Sequence, residues 1–171
     1  MLSALGGCGS GAGANTAHAG RLALQSYLRE VEPLRLAVNQ LLTEADPTLG
    51  AVHDGRISAA TAARRIGRLE RHFADYTVDI AAIQPATPAL RALHAIYAHT
   101  YIFEDAYLSA LANGLAERRL DSLPNTQPAQ RAAIIQWRTG LTVLARDAGV
   151  VLPGDLQQAG RGEIAPSPIG S

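Results

Sequence analysis

The sequence predicts an all-α protein, an up-down-up-down four-helix bundle between a flexible N-terminal leader and a C-terminal tail. In four segments between residues 17 and 152, apolar side chains recur every three or four positions, as in helices that bury one face. No segment shows the alternation of a half-buried strand. The connections are mostly short, and the length of 171 residues suits one domain with its own core.

The first periodic segment runs from about Ala17 to Ala45. It contains Pro33, which removes a backbone hydrogen bond and crowds the preceding turn, so we expect a kink or a break there. Asp46 and Pro47 are expected to end the helix, with one short extra turn in the link to the next helix. The apolar stripe comprises Leu24, Leu28, Val31, Leu34, Val38, Leu41 and Ala45.

The other three segments carry recognisable start or stop signals. Ser58 is a good N-cap, and Thr87 followed by Pro88 is typical of a helix start. Gly149 stands where a C-terminal glycine cap belongs, and residues 150–152 are expected to fold back onto the bundle end. Large members of the three stripes are Ile66, Leu69, Phe73, Ile80; Leu90, Tyr97, Leu108, Leu111; and Ile134, Trp137, Leu141, Leu144.

The composition and the motifs of the chain argue against several classes of function. The formal net charge is zero, which argues against a nucleic-acid partner because phosphate binding needs an excess of basic residues. All 15 basic residues are arginine, which is typical of a GC-rich bacterial genome. The chain lacks the Gly-x-Ser-x-Gly, Walker and dinucleotide motifs, so we predict no enzyme activity and no cofactor.

Two segments outside the periodic region have linker-like composition. Residues 1–16 are rich in Ala, Gly and Ser and predict a flexible leader, whereas residues 153–171 predict a disordered tail. The leader contains the single cysteine, in Leu5-Gly6-Gly7-Cys8. This run of an aliphatic residue, two small residues and a cysteine resembles the lipobox of bacterial lipoproteins.

The resemblance covers the leader alone. It implies that Cys8 carries a diacylglycerol and that the bundle is an extracytoplasmic, lipid-anchored protein of the bacterial cell envelope, with the membrane as a partner. If Cys8 is not processed, the expected location is the cytoplasm.

Glu104 is the most unusual residue of the third segment, because it falls at the centre of the apolar face. A buried charge is costly unless it is paired, and Arg35 or Arg138 could reach it from neighbouring helices. One interpretation is an internal ion pair that fixes the helix register. The other is a polar pocket for a small ligand, formed by Glu104 and an arginine. Its remaining candidate residues are His94, Tyr97, Tyr101 and Trp137.

The histidines of the third segment do not predict a metal site. His94 and His99 are five residues apart, so on a helix they point in different directions. Neither metal-binding pair typical of helices, Glu-x-x-His or His-Glu-x-x-His, is present. The arginine run from Arg64 to Arg71 is interpreted as a solvated, charge-balanced face, with binding of an anion or a lipid headgroup as the alternative.

The sequence therefore predicts a non-enzymatic, lipid-anchored binding or interaction module with an unidentified protein or small-molecule partner. One alternative is a small-ligand or metal-binding bundle that uses the polar core site of the third helix. Another is a self-associating structural module that uses apolar residues away from the main stripes, such as Leu22, Leu36 and Ile135.

Overall fold

The computed structural model describes residues 10–157, with side chains from Asn15 onward. This part of the chain is all-helical and contains no strand, which confirms the predicted all-α class. Its helices are α1 (Ser10–Leu42), α2 (Ala45–His53), α3 (Ala59–Ala82), α4 (Pro88–Glu117) and α5 (Gln127–Ala148). None of these five helices has the combination of length and apolar composition found in a membrane-spanning segment.

Four long helices surround one core. Helix α3 packs against α4, α4 packs against α5, and α1 closes the ring by contacting both α3 and α5. The short α2 lies against α1 and α3. Phe73, Leu108 and Trp137 are buried, so the apolar stripes of three different helices face the same interior.

The predicted helix caps at Ser58, Thr87 and Gly149 are confirmed. The hydroxyl of Ser58 accepts a hydrogen bond from the backbone N–H of Thr61 at 3.1 Å, and that of Thr87 accepts one from Leu90 at 3.2 Å. Gly149 follows α5 with a φ of 63°. This left-handed conformation is one that glycine adopts without strain.

Helix α1 differs from its prediction at its start and around its proline. It begins at Ser10, so residues 10–16, predicted as leader, are helical. It also continues through Pro33 without a break. Cys8 lies outside the described residues, so its lipidation remains a prediction.

The expected short turn after α1 is a nine-residue helix, α2. The sequence predicts that Pro47 ends the helical region. In the structure it lies instead in the first turn of α2. The N–H groups of a first turn have no partner within the helix, so a proline is tolerated there. Ala45 and Leu49 of α2 are buried in the common core.

The chain after α5 folds back as far as residue 157. Leu152 is buried, as expected, but so is Leu156, within the segment predicted to be a disordered tail. Asp155 forms an ion pair with Arg35 of α1 at 2.5 Å. The tail prediction is therefore wrong for residues 153–157, and residues 158–171 lie outside the described part.

Candidate functional site

Glu104 lies in the centre of the bundle, as the apolar pattern around it predicted, with 1% of its surface exposed. Its Oε2 accepts a hydrogen bond from Nε2 of Gln130 in α5 at 2.8 Å. Burial raises the pKa of Glu104 to about 7, and the bond from Gln130 opposes part of that rise. Near neutral pH, the carboxyl group is therefore a mixture of its neutral and charged forms.

The predicted ion pair between Glu104 and an arginine does not form among the described residues. Arg35 pairs instead with Glu32 at 2.6 Å and with Asp155 at 2.5 Å. Arg138 donates from Nη1 to the backbone oxygen of Asp155 at 3.2 Å. Asp155, which lies in the segment predicted to be a tail, thus supplies acceptors to both arginines.

A small cavity lies beside Glu104, with a volume of about 20 Å³. Glu104 Oε1 and Gln130 Oε1 are buried and have no hydrogen-bond partner among the described residues, and both residues line this cavity. Its volume suits about one water molecule, which could donate to both oxygens. Small-molecule sites usually have volumes of roughly 300–1,000 Å³, so an organic ligand would require the core to open.

His94 belongs to a second buried network next to this cavity. Trp137 Nε1 donates to the hydroxyl of Tyr27 at 3.0 Å, and that hydroxyl lies 3.3 Å from His94 Nδ1. His94 Nε2 lies 3.0 Å from the carbonyl oxygen of Ile80, to which it donates because a carbonyl only accepts. Neutral His94 therefore accepts from Tyr27 through Nδ1. Burial lowers the pKa of His94, which favours this neutral form.

The seven predicted site residues are divided among three places. Tyr97 stacks on Trp137 with ring centroids 4.0 Å apart, and its hydroxyl lies 3.4 Å from that of Tyr101. The cavity is lined by Glu104, Tyr97 and Tyr101; the neighbouring network contains His94 and Trp137; the arginines Arg35 and Arg138 lie beside Asp155. The structure therefore does not bring all seven to one pocket.

Within residues 10–157, no three His, Cys, Asp or Glu side chains are grouped so as to hold a metal ion. His99 is on the surface, where its ring packs edge-on against Phe103 at 4.4 Å. His94 uses both ring nitrogens in the buried network.

No protein-family model, curated protein or solved structure matches this chain.

The surface contains a long open groove, here called the α1 groove. It is lined by α1 from Arg21 to Leu36 and by Gly149, Val150, Val151 and Pro153, and its volume is about 940 Å³. The lining part of α1 extends for about 22 Å, at roughly 1.5 Å per residue. Leu36 is 52% exposed and Val151 is 86% exposed. The sequence identifies Leu36 as an apolar residue off the main stripe and predicts that residues 150–152 fold back, but it does not indicate that the two lie side by side.

Proposed function

We propose that this protein is a non-enzymatic binding module of the bacterial cell envelope, attached to a membrane by lipid on Cys8. Its α1 groove binds an apolar, acidic helical segment of a protein partner. The groove is the observation that carries the proposed binding. The proposed location is supported by the lipobox-like Leu5-Gly6-Gly7-Cys8.

The shape of the α1 groove favours a helical segment over a compact ligand. The groove is open and follows about 22 Å of α1, the length of roughly four helical turns. Helices that bind in grooves place an apolar face against apolar side chains. Leu28, Leu36, Val150 and Val151 provide such a surface.

The charge of the α1 groove favours an acidic partner. Arg21 and Arg29 line it, and the guanidinium of Arg21 donates to the carbonyl oxygen of Ala148. Glu32 is the acidic residue in its lining, and it shares Arg35 with Asp155, so the two lining arginines outnumber the one lining carboxylate. The charge presented to a partner is therefore positive, and an Asp or Glu on the bound segment would complement it.

The up-down-up-down topology is part of the proposal. Residues 83–87 join α3 to α4 and residues 118–126 join α4 to α5, and connections this short favour antiparallel neighbours. Arg21, near the start of α1, bonds to Ala148 at the end of α5, which supports an antiparallel α1 and α5. This arrangement makes residues 149–153 the second wall of the groove.

Lipid attachment is tested by metabolic labelling with a clickable palmitate analogue, with the gene expressed from its own start in a bacterial host. We expect the protein to be labelled and to sediment with membranes. Cys8→Ser should lose both properties while the bundle stays folded. An unlabelled wild-type protein would remove the membrane part of the proposal.

Groove binding is tested by placing a photo-crosslinking residue at Val151 in cells, with Val78 of α3 as the control. Val78 is 70% exposed and does not line the groove. We expect position 151, and not 78, to crosslink to one apolar, acidic segment. A peptide of that segment should bind the purified protein, with an affinity at least about tenfold lower for Leu36→Glu and unchanged for Val78→Glu.

Three results would contradict the groove assignment. A crosslink from position 151 to residues 158–171 of the same chain would mean that the groove is filled internally. A crosslink between two copies would assign it to self-association. Peptide binding that Leu36→Glu leaves unchanged would place the partner elsewhere.

A further inference from the structure

A second concave surface, here called the α2–α3 cleft, lies between α3 and the chain that runs from the end of α1 into α2, and its volume is about 310 Å³. It is separate from the α1 groove, so a ligand in this cleft would be independent of the proposed function. Its lining combines charged side chains with an apolar floor. These residues include Arg65, Arg68, His72, Glu44, Leu41 and Leu69.

The basic side chains of the cleft share one face of α3. Arg65, Arg68 and His72 occur at steps of three and four, which places them in a row along the helix. Arg64, which lies outside the cleft, donates to the hydroxyl of Thr61 at 3.2 Å. Among the described residues, Arg65 and Arg68 make no hydrogen bond or ion pair. Although the helix carries charges of both signs, the guanidinium groups of Arg65 and Arg68 are therefore available to a ligand.

We propose that the α2–α3 cleft binds a phosphate group carried by a small apolar molecule, through Arg65 and Arg68 with His72 beside them. Each guanidinium is a planar fork of N–H donors that matches the oxygens of an anion. One guanidinium can satisfy both oxygens of a carboxylate, whereas a phosphate monoester offers three and can engage two. Leu41 and Leu69 then contact the apolar part of the ligand.

The size of the cleft agrees with this ligand class. Its volume of about 310 Å³ falls at the lower end of the range for small-molecule sites, roughly 300–1,000 Å³. A phosphate with a ring or a short acyl chain fits it, whether free in solution or as the exposed end of a lipid. The two sources share the same recognition chemistry and are separated by experiment.

Glu44 allows a test in which a substitution should strengthen binding instead of weakening it. It is the acidic residue in the lining of the cleft, so its charge opposes a bound phosphate. Removing that charge should strengthen binding, while removing the charges of Arg65 and Arg68 should weaken it.

The test is a titration of the ¹⁵N-labelled 171-residue chain, kept reduced, with phenyl phosphate, followed by NMR. We expect saturable shifts at the side-chain N–H groups of Arg65 and Arg68 and at the backbone amides of Leu41 and Leu69. A parallel arm measures sedimentation with vesicles that contain phosphatidic acid, whose headgroup is a phosphate monoester, and phosphatidylcholine vesicles serve as the reference. Binding to phenyl phosphate identifies a free phosphate as sufficient; binding to the vesicles alone identifies a lipid headgroup.

Substitutions show whether the binding measured in the titration or in the sedimentation experiment takes place in the α2–α3 cleft. Replacing Arg65 and Arg68 together by Gln should lower affinity by at least about tenfold, since hydrogen bonds to charged groups are lost. Glu44→Gln should raise it several-fold. Replacing Arg64 and Arg71 together by Gln is the matched control, because it also removes two positive charges from exposed positions of the same helix outside the cleft, and it should leave affinity unchanged.

Several results would overturn the proposal. One is the absence of saturable binding in both arms. Another is an equal loss of affinity in the Arg64/Arg71 variant and in the Arg65/Arg68 variant, which would indicate a general effect of charge. Shifts confined to other parts of the bundle would also contradict it. All substituted side chains are exposed, and far-ultraviolet circular dichroism verifies that each variant remains folded.

Discussion

At the scale of single residues, the buried carboxyl group of Glu104 makes the stability of the fold depend on pH. Its pKa is raised from 4.5 to about 7, so the folded state holds this proton more tightly than the unfolded state. The stabilisation is fully present below pH 4.5 and is lost as pH rises to about 7. We expect the free energy of unfolding, relative to that of Glu104→Gln, to fall on the order of 3 kcal/mol over this range. Urea denaturation at a series of pH values measures it.

His94 acts in the opposite direction, which is why the comparison uses a variant. Burial lowers its pKa, so its contribution is present above its ordinary value of 6.5 and is lost as pH falls toward the folded pKa. Wild type and Glu104→Gln both contain His94, and their difference at each pH isolates Glu104. Parallel stability curves for the two proteins would contradict the prediction.

Arg118 is a residue in a conformation that favours glycine. It ends α4 with a φ of 57°, in the left-handed region, where a side chain crowds the following carbonyl. We expect Arg118→Gly to raise the free energy of unfolding by about 0.5–1 kcal/mol, measured by thermal or urea denaturation.

The corresponding position of α5 provides the reciprocal control. Gly149 has a φ of 63°, and a Cβ there would lie 3.1 Å from Nη2 of Arg21. Gly149→Ala should therefore destabilise the fold by about 1 kcal/mol. If both substitutions leave stability unchanged, backbone strain does not govern these two helix ends.

The sequence predicts that Glu104 is buried but not what it contacts. Its burial follows from apolar residues three and four positions away on the same helix, and this information is local. Its partner depends on how far α4 is shifted along α5, and that shift brings Gln130 opposite Glu104. The contact of Tyr27 with Trp137 and His94 joins three helices and was missed for the same reason.

At the scale of helices, the ends that were predicted correctly are those capped by a residue of characteristic type. Ser58, Thr87 and Gly149 act through backbone groups within a few residues, so the sequence alone contains the signal. Helix α2 was underestimated because Pro47 resembles a stop signal. A helix this short is stabilised mainly by packing, here through the burial of Ala45 and Leu49, and packing depends on the rest of the fold.

Pro33 is expected to cost α1 stability, although the helix continues through it. A proline in a helix interior removes a backbone hydrogen bond and crowds the preceding turn. The side chain is exposed, so replacing it sacrifices no core contact. Pro33→Ala should raise the free energy of unfolding by about 1–2 kcal/mol, after allowing for the greater entropy of its unfolded chain.

Pro47→Ala is the matched control for Pro33→Ala. Pro47 is also exposed, but it lies in the first turn of α2, where the missing N–H has no helical partner. Its replacement should change the free energy of unfolding by less than about 0.5 kcal/mol. Equal effects of the two substitutions in urea denaturation would show that position in the helix does not determine the cost.

At the scale of the whole molecule, the helical class and the shared core were predictable because four apolar stripes need one another to leave water. The path of the chain after α5 could not be predicted from the sequence. Pro153 and Gly154 correctly predict the end of the helix, but they equally allow a turn after it. That turn buries Leu156 and brings Asp155 to Arg35, contacts that depend on the position of α1.

The segment after α5 is expected to contribute directly to the stability of the bundle. The side chain of Leu156 is 0% exposed, and truncating a fully buried leucine removes apolar contacts and leaves a cavity. Leu156→Ala should lower the free energy of unfolding by about 2–4 kcal/mol. Thermal unfolding followed by circular dichroism measures the change.

Val151→Ala is the control within the same segment, since its side chain is 86% exposed and its loss should cost less than about 0.5 kcal/mol. If Leu156→Ala unfolded at the wild-type temperature, residues 153–157 would not stabilise the bundle. Residues 149–153, which form one wall of the α1 groove, would then gain no support from Leu156. Partner affinity in the Leu156→Ala variant therefore tests whether the segment that stabilises the bundle also shapes its proposed binding surface.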